Sequence, residues 1–544
     1  MSWSDTVAEP GTPVQQRALA TARVAAVVPF LVLTGWMIAV SLHASVVVNG
    51  GRVFYLDDVE MVAMRYGRNL ADGLGLVWNA GERVEGFTNP AWVLTMAAVH
   101  AAGAPDTTAA LFIKAIAWML ACGVLALSAA LRRQLSGPDP WADVALLAML
   151  AMNADVVFWA ANGFETPLLT ALLLWLLTRV IHQAERRTVT AGTMVAAGAL
   201  GLVRSDAYLL IAAVAAVAIF LSPERGRTAR LALLALVLPL LLMGARLAYY
   251  GQWMPNTFEL RMTGVPDLLL DGLRYVKRFG REYWFLITCA VAACARPRDW
   301  RTRAVGAVCV ITALHAVAVG GDFLVPFRFI APVVPLIMTL AVITAQDVRR
   351  YGRRRGAIAL TMLAVAGIVS GGMLSRWPVE AMRSWRGKPW QGAAIGLVMA
   401  EGSRPSATVA AAGGGALGYF SRRTVIDLAG RTDPSIARLP ARRGADASER
   451  KFDIEMSLRR RPDFVLTAGP HEAALRGEVM FALSGVDPER DIGPAIVAAP
   501  TFQRLYRDGP IPIQPLLRRS AVYVRADSPE RARMGSWRLD VTGF

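Results

Sequence analysis

Cysteine and histidine are scarce in this chain of 544 residues, with four of the first and five of the second. Cys122, Cys289, Cys294 and Cys309 lie in or beside apolar runs, and none has zinc-site spacing. They read as small buried hydrophobes with no disulfide frame. No HExxH or CxxC occurs, and the histidines are too scattered for a histidine metal centre. A GxxxxGK[ST] phosphate loop is also missing, because the Gly413–Gly415 run lacks the lysine and hydroxyl residue that would complete it. There is no clear internal repeat and no nucleic-acid-binding signature, so the net charge of +17 does not point to nucleic acid.

What the chain has instead is apolar sequence, 55% of its residues. The first apolar run, Val24 to Val48, is longer than a signal-peptide core of about 7–15 residues and reads as an uncleaved span. Later apolar blocks cover 109–131, 141–161, 166–181, 189–203, 207–221, 229–248, 282–295, 303–319, 329–346 and 356–374. Arginines collect in every second gap: Arg132 and Arg133; Arg179, Arg186 and Arg187; Arg225, Arg227 and Arg230; Arg296 to Arg303; Arg349 to Arg355. By the positive-inside rule these gaps and the N-terminus face the cytoplasm. The segment 90–102, about 13 residues, is too short to cross and is expected to be re-entrant or interfacial.

The expected fold is therefore a polytopic α-helical membrane protein of the plasma membrane, with about eleven spans plus interfacial helices. Residues 1–375 form the transmembrane domain, with a first outer loop over 49–108. Residues 376–544 form an extracytoplasmic domain. In that second part "SATVAAAG" (Ser406–Gly413), "RTVIDLAG" (Arg423–Gly430), "PDFVLTAG" (Pro462–Gly469) and "AVYVRAD" (Ala521–Asp527) read as short strands with helices between them, a small α/β domain. Asp427 and Asp433 fit turn or cap roles there.

This topology sends the carboxylates, amides and unusual Gly/Pro elements to one face, and ionisable groups at a membrane edge mark functional sites. Asp57 and Asp58 open a helix whose apolar stripe, Val59, Val62, Ala63, Tyr66 and Leu70, predicts that it lies along the membrane surface. Asp58 can cap that helix, which leaves a second carboxylate to explain. Such a pair suits proton abstraction from an incoming hydroxyl, or a divalent cation (magnesium, calcium or manganese) held beside a phosphate. "GERVEGFTNPAW" (Gly81–Trp92) brings Glu85 and Asn89, with capping as the plain role for Thr88 or Asn89. Glu165 in "ANGFETP" suits the positive end of the next helix or a site. Arg204 and Asp206 can pair with each other. "PNTF" with Asn256, followed by Arg261, and "GGDFLVPFRF" with Asp322 and Arg328 supply the cations and shaped backbone that suit a phosphate.

The stretch "YLDDVEMVAMRYGRNLADGLGLVWNAGERVEGFTNPAW", with "NGFET", "PNTF" plus Arg261, and "GGDFLVPFRFIAPVVPL", resembles bacterial membrane glycosyltransferases of the C-type fold. Those enzymes take a sugar from a polyprenyl-phosphate carrier. The similarity covers about residues 24–375 and, more weakly, Ala411–Pro434. It is nearest to the actinobacterial arabinofuranosyltransferases that use decaprenyl-phosphoryl arabinose and add terminal units to cell-wall arabinan. The resemblance implies a catalytic carboxylate at Asp57 or Asp58. It also implies a donor site lined by Arg261, Asp322 and Arg328, a lipid-linked sugar as donor, and a cell-wall glycan acceptor on the outer face. The "PNTF" segment departs from the pattern at Glu259 and Leu260. A transporter or flippase of lipid-linked sugars, or an enzyme of this fold using mannose, are the rival expectations.

Overall fold

The computed structural model describes residues 20–48, 50–262, 267–296, 299–322, 327–348, 351–370, 388–442, 450–468, 492–506, 520–536 and 541–542. The expected domain boundary near residue 376 lies outside them.

The chain is a multi-pass helical membrane protein. Among the described residues six helices are long and apolar enough to cross a bilayer: Ala20–His43, Ala109–Ser136, Thr166–Glu185, Arg225–Tyr250, Trp300–Ala318 and Ala331–Val348. A seventh span is counted if Pro140–Ala151 and Ala154–Ala161, bent by 55°, are taken together. At the bend the Asn153 side chain accepts from Val156 N and donates to the Tyr283 hydroxyl, so a polar side chain holds the break. The expected count of eleven is not reached by length and composition. Three of the four blocks that fall short fold as shorter helices, Ala191–Val203, Tyr208–Leu221 and Trp284–Cys294, of 13, 14 and 11 residues; the fourth, 356–374, belongs to the helix Arg353–Ser370, which opens on three arginines, and the last four residues of that block lie outside the described ones. At about 1.5 Å per residue each of the three shorter helices falls short of a hydrocarbon layer of about 30 Å. Pro90–Ala101, with 12 residues, is short for the same reason.

Between the first span and the second, β1 (Ser45–Val48) and β2 (Gly51–Phe54) form an antiparallel hairpin, and β7 (Val541–Thr542) adds to the free edge of β1. The four strands expected in the C-terminal part are present as β3 (Thr408–Ala411), β4 (Thr424–Asp427), β5 (Phe464–Ala468) and β6 (Ser520–Val524). They order as β4-β3-β5-β6, with β3 parallel to β4 and β5, and β6 antiparallel to β5. With the helix Gly415–Ser421 and its neighbours they make an α/β region.

The helix Asp58–Ala71 corrects one expectation. It does not lie on a membrane surface with one apolar face down. Every residue from Glu60 to Asn69 is buried. The helix is wedged between Pro90–Ala101 and Gly415–Ser421, and its apolar residues Met61 and Met64 share one core with Trp92, Val409, Leu417 and Phe464. Its polar face is used as well. Arg65 donates to Asn79 Oδ1 (3.1 Å) and to the Arg423 carbonyl (2.7 Å), and Arg68 donates to the Tyr419 carbonyl. Asn79 then satisfies both the N–H and the C=O of Val425 at 3.0 Å each, closing the exposed edge of β4. The apolar stripe was read for a helix with one buried side; the arginines are buried because the C-terminal region supplies backbone acceptors for them.

Candidate active site

Where the first loop, the loop-side ends of the membrane helices and the C-terminal region meet, a cavity of about 310 Å³ opens. Glu60 and Val59 enter it from the first-loop helix, and Thr88 and Asn89 from the turn before Pro90. Arg204 and Asp206 come from the gap after Ala191–Val203, and Thr257 and Arg261 from the helix Asn256–Met262. His315, Arg328 and Arg431 also line it, as do Ser205 and Tyr208. Arg431 belongs to the C-terminal region.

The guanidiniums are oriented by carboxylates. Arg204 makes a two-point contact with Asp206, at 2.9 and 2.7 Å, and its third nitrogen lies 3.5 Å from Glu165. The expected Arg204–Asp206 pairing is therefore present. Arg328 donates to both oxygens of Glu165, at 3.0 and 3.1 Å, and lies 3.6 Å from Glu60. Arg261 reaches Asp322 at 3.1 Å. Asp322 is delivered by Gly320 and Gly321, which have φ of +79° and +68°, conformations that side-chain-bearing residues rarely adopt. A Cβ on Gly321 would also sit 2.6 Å from Tyr275. Phe329 has two cations near its ring, Arg204 and Arg261 at 4.6 and 5.5 Å from the ring centre.

Asn89 is the residue before a helix, as expected, but its side chain makes no cap. It donates instead to Glu60 and Glu165, at 3.2 Å each, bridging two buried acids. Glu85 sits behind the lining in a two-point pair with buried Arg246, at 2.8–3.0 Å. Through the Glu85 carbonyl, which accepts from Asn256 N (3.0 Å), that turn is tied to the helix bearing Arg261. The Asn256 amide donates to the carbonyls of Gly430 (2.9 Å) and Arg431 (2.8 Å) and so fixes where Arg431 enters. Asp427 accepts from Ala429 N, Thr432 N and the Thr432 hydroxyl, the turn role expected for it, and thereby shapes the loop carrying Arg431. Asp433 caps the next helix.

The two adjacent aspartates divide their work. Asp57, not Asp58, is the helix cap, accepting from Val59 N at 3.0 Å. Asp58 reaches across to the C-terminal region, where its two oxygens accept from Gly414 N (3.1 Å) and Ala416 N (2.9 Å). The glycine run that cannot form a phosphate loop thus serves as an anion cradle for a carboxylate of the same chain. Among the described residues no three His, Cys, Asp or Glu side chains gather as a cation site. Neither aspartate is part of the cavity lining. Asp57 keeps part of its surface exposed, and burial of the rest, with a smaller push from Asp58, raises its pKa to about 6 against the pull of the Val59 N–H, Arg328 and Arg431. Glu60 is pushed well above the usual carboxylate range, first by burial and then by Glu165 beside it. Burial likewise opposes charge on Asp206, but Arg204 and His315 outweigh it and hold that carboxyl well below its ordinary value.

Two polar atoms of lining residues stand out. Arg328 Nε and the Thr257 hydroxyl are buried and have no hydrogen-bond partner among the described residues. Sequence reasoning missed Glu60, Thr257, His315 and Arg431. Glu60 carries a signal in hindsight, a third acid on the same helix turn as Asp57 and Asp58. For Arg431 there is none, because its placement depends on how two distant regions dock.

No curated protein matches the chain. The family described as a domain of unknown function (DUF8728) matches residues 381–507, within the C-terminal region that contributes Arg431. The chain is similar in structure to ArnT from Cupriavidus metallidurans bound to undecaprenyl phosphate, with a TM-score of 0.57 at 12% identity, covering 94% of this chain and 99% of that one. ArnT from the same organism in the apo state gives 0.53 at 13% identity over 93% and 98%. The archaeal oligosaccharyltransferase AglB from Archaeoglobus fulgidus, in complex with an inhibitory peptide and a dolichol-phosphate, gives 0.54 at 12% identity over 82% of this chain and 69% of that one. At these identities the likeness is one of fold: the chain is built like ArnT and the oligosaccharyltransferase AglB.

Proposed function

We propose that this protein is a membrane glycosyltransferase that moves a sugar from a polyprenyl-phosphate donor to a glycan hydroxyl, with arabinofuranose as the sugar and the cell wall as the destination. The observation that carries the reading is the cavity itself. Arg204, Arg261, Arg328 and Arg431 line it, and Arg328 Nε and the Thr257 hydroxyl have no hydrogen-bond partner among the described residues. Buried donors without partners are costly, and an anionic oxygen is the ligand that satisfies them. The ligands bound in the fold's neighbours, undecaprenyl phosphate in ArnT and dolichol-phosphate in AglB, are anions of this class. The sugar and acceptor rest on the sequence resemblance, and the outward orientation of the site rests on the positive-inside distribution of the arginines.

In the proposed reaction the acceptor oxygen forms a bond to the anomeric carbon as the bond from that carbon to the phosphate oxygen breaks. The bonding pair leaves on the phosphate, where the preorganised guanidiniums stabilise the growing charge. The acceptor proton passes to Asp57, which stands outside the cavity lining, two residues before Val59 of that lining, with part of its surface exposed to an incoming acceptor; its pKa of about 6 leaves it ionised and still basic at neutral pH. Glu60, whose carboxyl is pushed well above the usual range by burial and then by Glu165, favours its protonated form more than an ordinary glutamate does, which lessens repulsion on the departing phosphate. Asp58 is assigned a positioning role, pinning the C-terminal region and thus Arg431 to the first loop.

The test is transfer of radiolabelled sugar from synthetic polyprenyl-phosphate donors by purified protein in nanodiscs, comparing wild type with Asp57→Asn. The reading expects transfer by wild type and none above background by a folded D57N protein. Wild-type rates from D57N would remove Asp57 from the chemistry, and absence of transfer from any polyprenyl-phosphate sugar would remove the reading.

A further inference from the structure

A second cavity, of about 330 Å³, lies away from the first and shares no lining residue with it. It is a slot between the first span, Ala20–His43, and the second, Ala109–Ser136, with Phe54 of the hairpin at its loop-side end. Thr34, Met37, Ile38, Ser41 and Leu42 form one wall, and Leu111, Lys114, Ala115 and Trp118 the other. Ile38, Leu42 and Leu111 are exposed apolar side chains on helices that cross the membrane, so the mouth of the slot faces acyl chains.

Lys114 is the anomaly. It is 1% exposed, and its ammonium has no hydrogen-bond partner among the described residues. No Asp or Glu is among the residues that line the slot. The Thr34 hydroxyl does not serve it, being engaged with the Phe30 carbonyl at 2.7 Å and the Trp118 indole at 3.1 Å. An intramembrane lysine without a counter-charge is expensive and marks a ligand site more often than a packing choice. Lys114 lies five residues into its helix, about 7 Å below the start of the span, a depth that a lysine stem bridges to the headgroup layer.

We infer that this slot binds an anionic diacyl phospholipid of the leaflet on the first-loop side, with its phosphodiester on Lys114 and an acyl chain along Met37, Ile38 and Trp118. One ammonium matches the single charge of a phosphodiester. A polyprenyl monophosphate carries about −1.5 to −2 and suits the arginine-lined cavity instead. A zwitterionic headgroup brings its own cation and satisfies the lysine less well. The lipid completes the seam between the first two spans, and the hairpin that leads into the first-loop helix stands on that seam.

The experiment uses the full-length protein in nanodiscs of phosphatidylcholine with a minor fraction of phosphatidylglycerol, followed by native mass spectrometry of retained lipid and by thermal unfolding. The wild type and Lys114→Arg are expected to retain one phosphatidylglycerol and to gain thermal stability from it. Lys114→Met keeps the stem and loses the charge; it is expected to retain at least fivefold less and to gain no stability from that lipid. Equal retention by K114M would overturn the inference. Displacement of the phosphatidylglycerol by equimolar undecaprenyl phosphate would overturn the assignment to a phosphodiester. Because the slot is separate from the arginine-lined cavity, loss of lipid retention by K114M with transfer intact supports this inference alone, and equal retention with transfer intact overturns this inference alone.

Discussion

Replacing Arg431 by methionine should lower activity while leaving stability unchanged or raising it, two opposite signs from one substitution. Methionine keeps the length and the packing of the arginine stem but removes the charge. Arg431 lines the cavity, and its pKa is lowered, first by burial and then by the nearby Arg261 and Arg328 against the attraction of Asp427. A guanidinium whose pKa is lowered is less stable charged in the folded protein than in water, so its charge does not contribute to folding. Its removal relieves repulsion among the three cations. With donor phosphate present the sign reverses. A hydrogen bond to a charged group contributes about 1.5–3 kcal/mol. At about 1.4 kcal/mol per factor of ten, R431M should lose about 10- to 150-fold in kcat/KM for the lipid-linked sugar. The assay pairs transfer kinetics at several donor concentrations with thermal unfolding of the same preparations. An R431M protein within twofold of wild type in kcat/KM would refute the placement of Arg431 at the donor. An R431M protein with a much lower Tm would refute the electrostatic reasoning.

Three further outcomes follow from the geometry. Asp57 has a folded pKa raised to about 6 from an ordinary 3.8, so the folded protein holds its proton more tightly and this residue's contribution to stability declines as pH rises from about 4 to about 6. Transfer, which needs the carboxylate, should climb through pH 6 and level off; D57N should be at least as stable as wild type at pH 7.5, and a wild-type rate independent of pH between 5 and 7 would contradict the assignment. Glu85→Gln leaves buried Arg246 without its counter-charge and should cost about 3 kcal/mol in unfolding measurements; a Tm unchanged within error would show that the pair is not needed to hold the turn before Asn89. Gly415→Ala places a methyl onto the backbone of Asp58 and should loosen the C-terminal region, read as faster proteolysis after residue 388 with the membrane part intact; wild-type protease resistance would show that the two regions do not dock as described.

The sequence carried the membrane class, the short crossing-incompetent segment 90–102 and all four strands of the C-terminal sheet, because hydropathy and alternation are local properties. It also picked out most of the arginines and acids that the cavity gathers, since charged residues at the edges of apolar runs are costly enough to be conspicuous. The number of spans was less legible: a hydropathy block does not reveal that a helix stops after 11 residues, as Trp284–Cys294 does. Least legible were residues whose role depends on docking. Asp58 looked like a helix cap until Gly414 and Ala416 were seen to hold it, and Arg431 had no local mark at all. Buried Arg65 and Arg68 misled the amphipathic reading because their acceptors are backbone carbonyls some 350 residues away.

The central claim is that side chains from the first loop, the membrane helices and the C-terminal region close around one lipid phosphate. The most direct measurement is cryo-electron microscopy of the full-length protein in nanodiscs loaded with polyprenyl phosphate. The account predicts phosphate density about 3 Å from the guanidiniums of Arg261, Arg328 and Arg431, a charge-assisted hydrogen-bond distance, with the prenyl chain leaving toward the bilayer. Phosphate bound elsewhere on the protein, with that cavity unchanged, would contradict it.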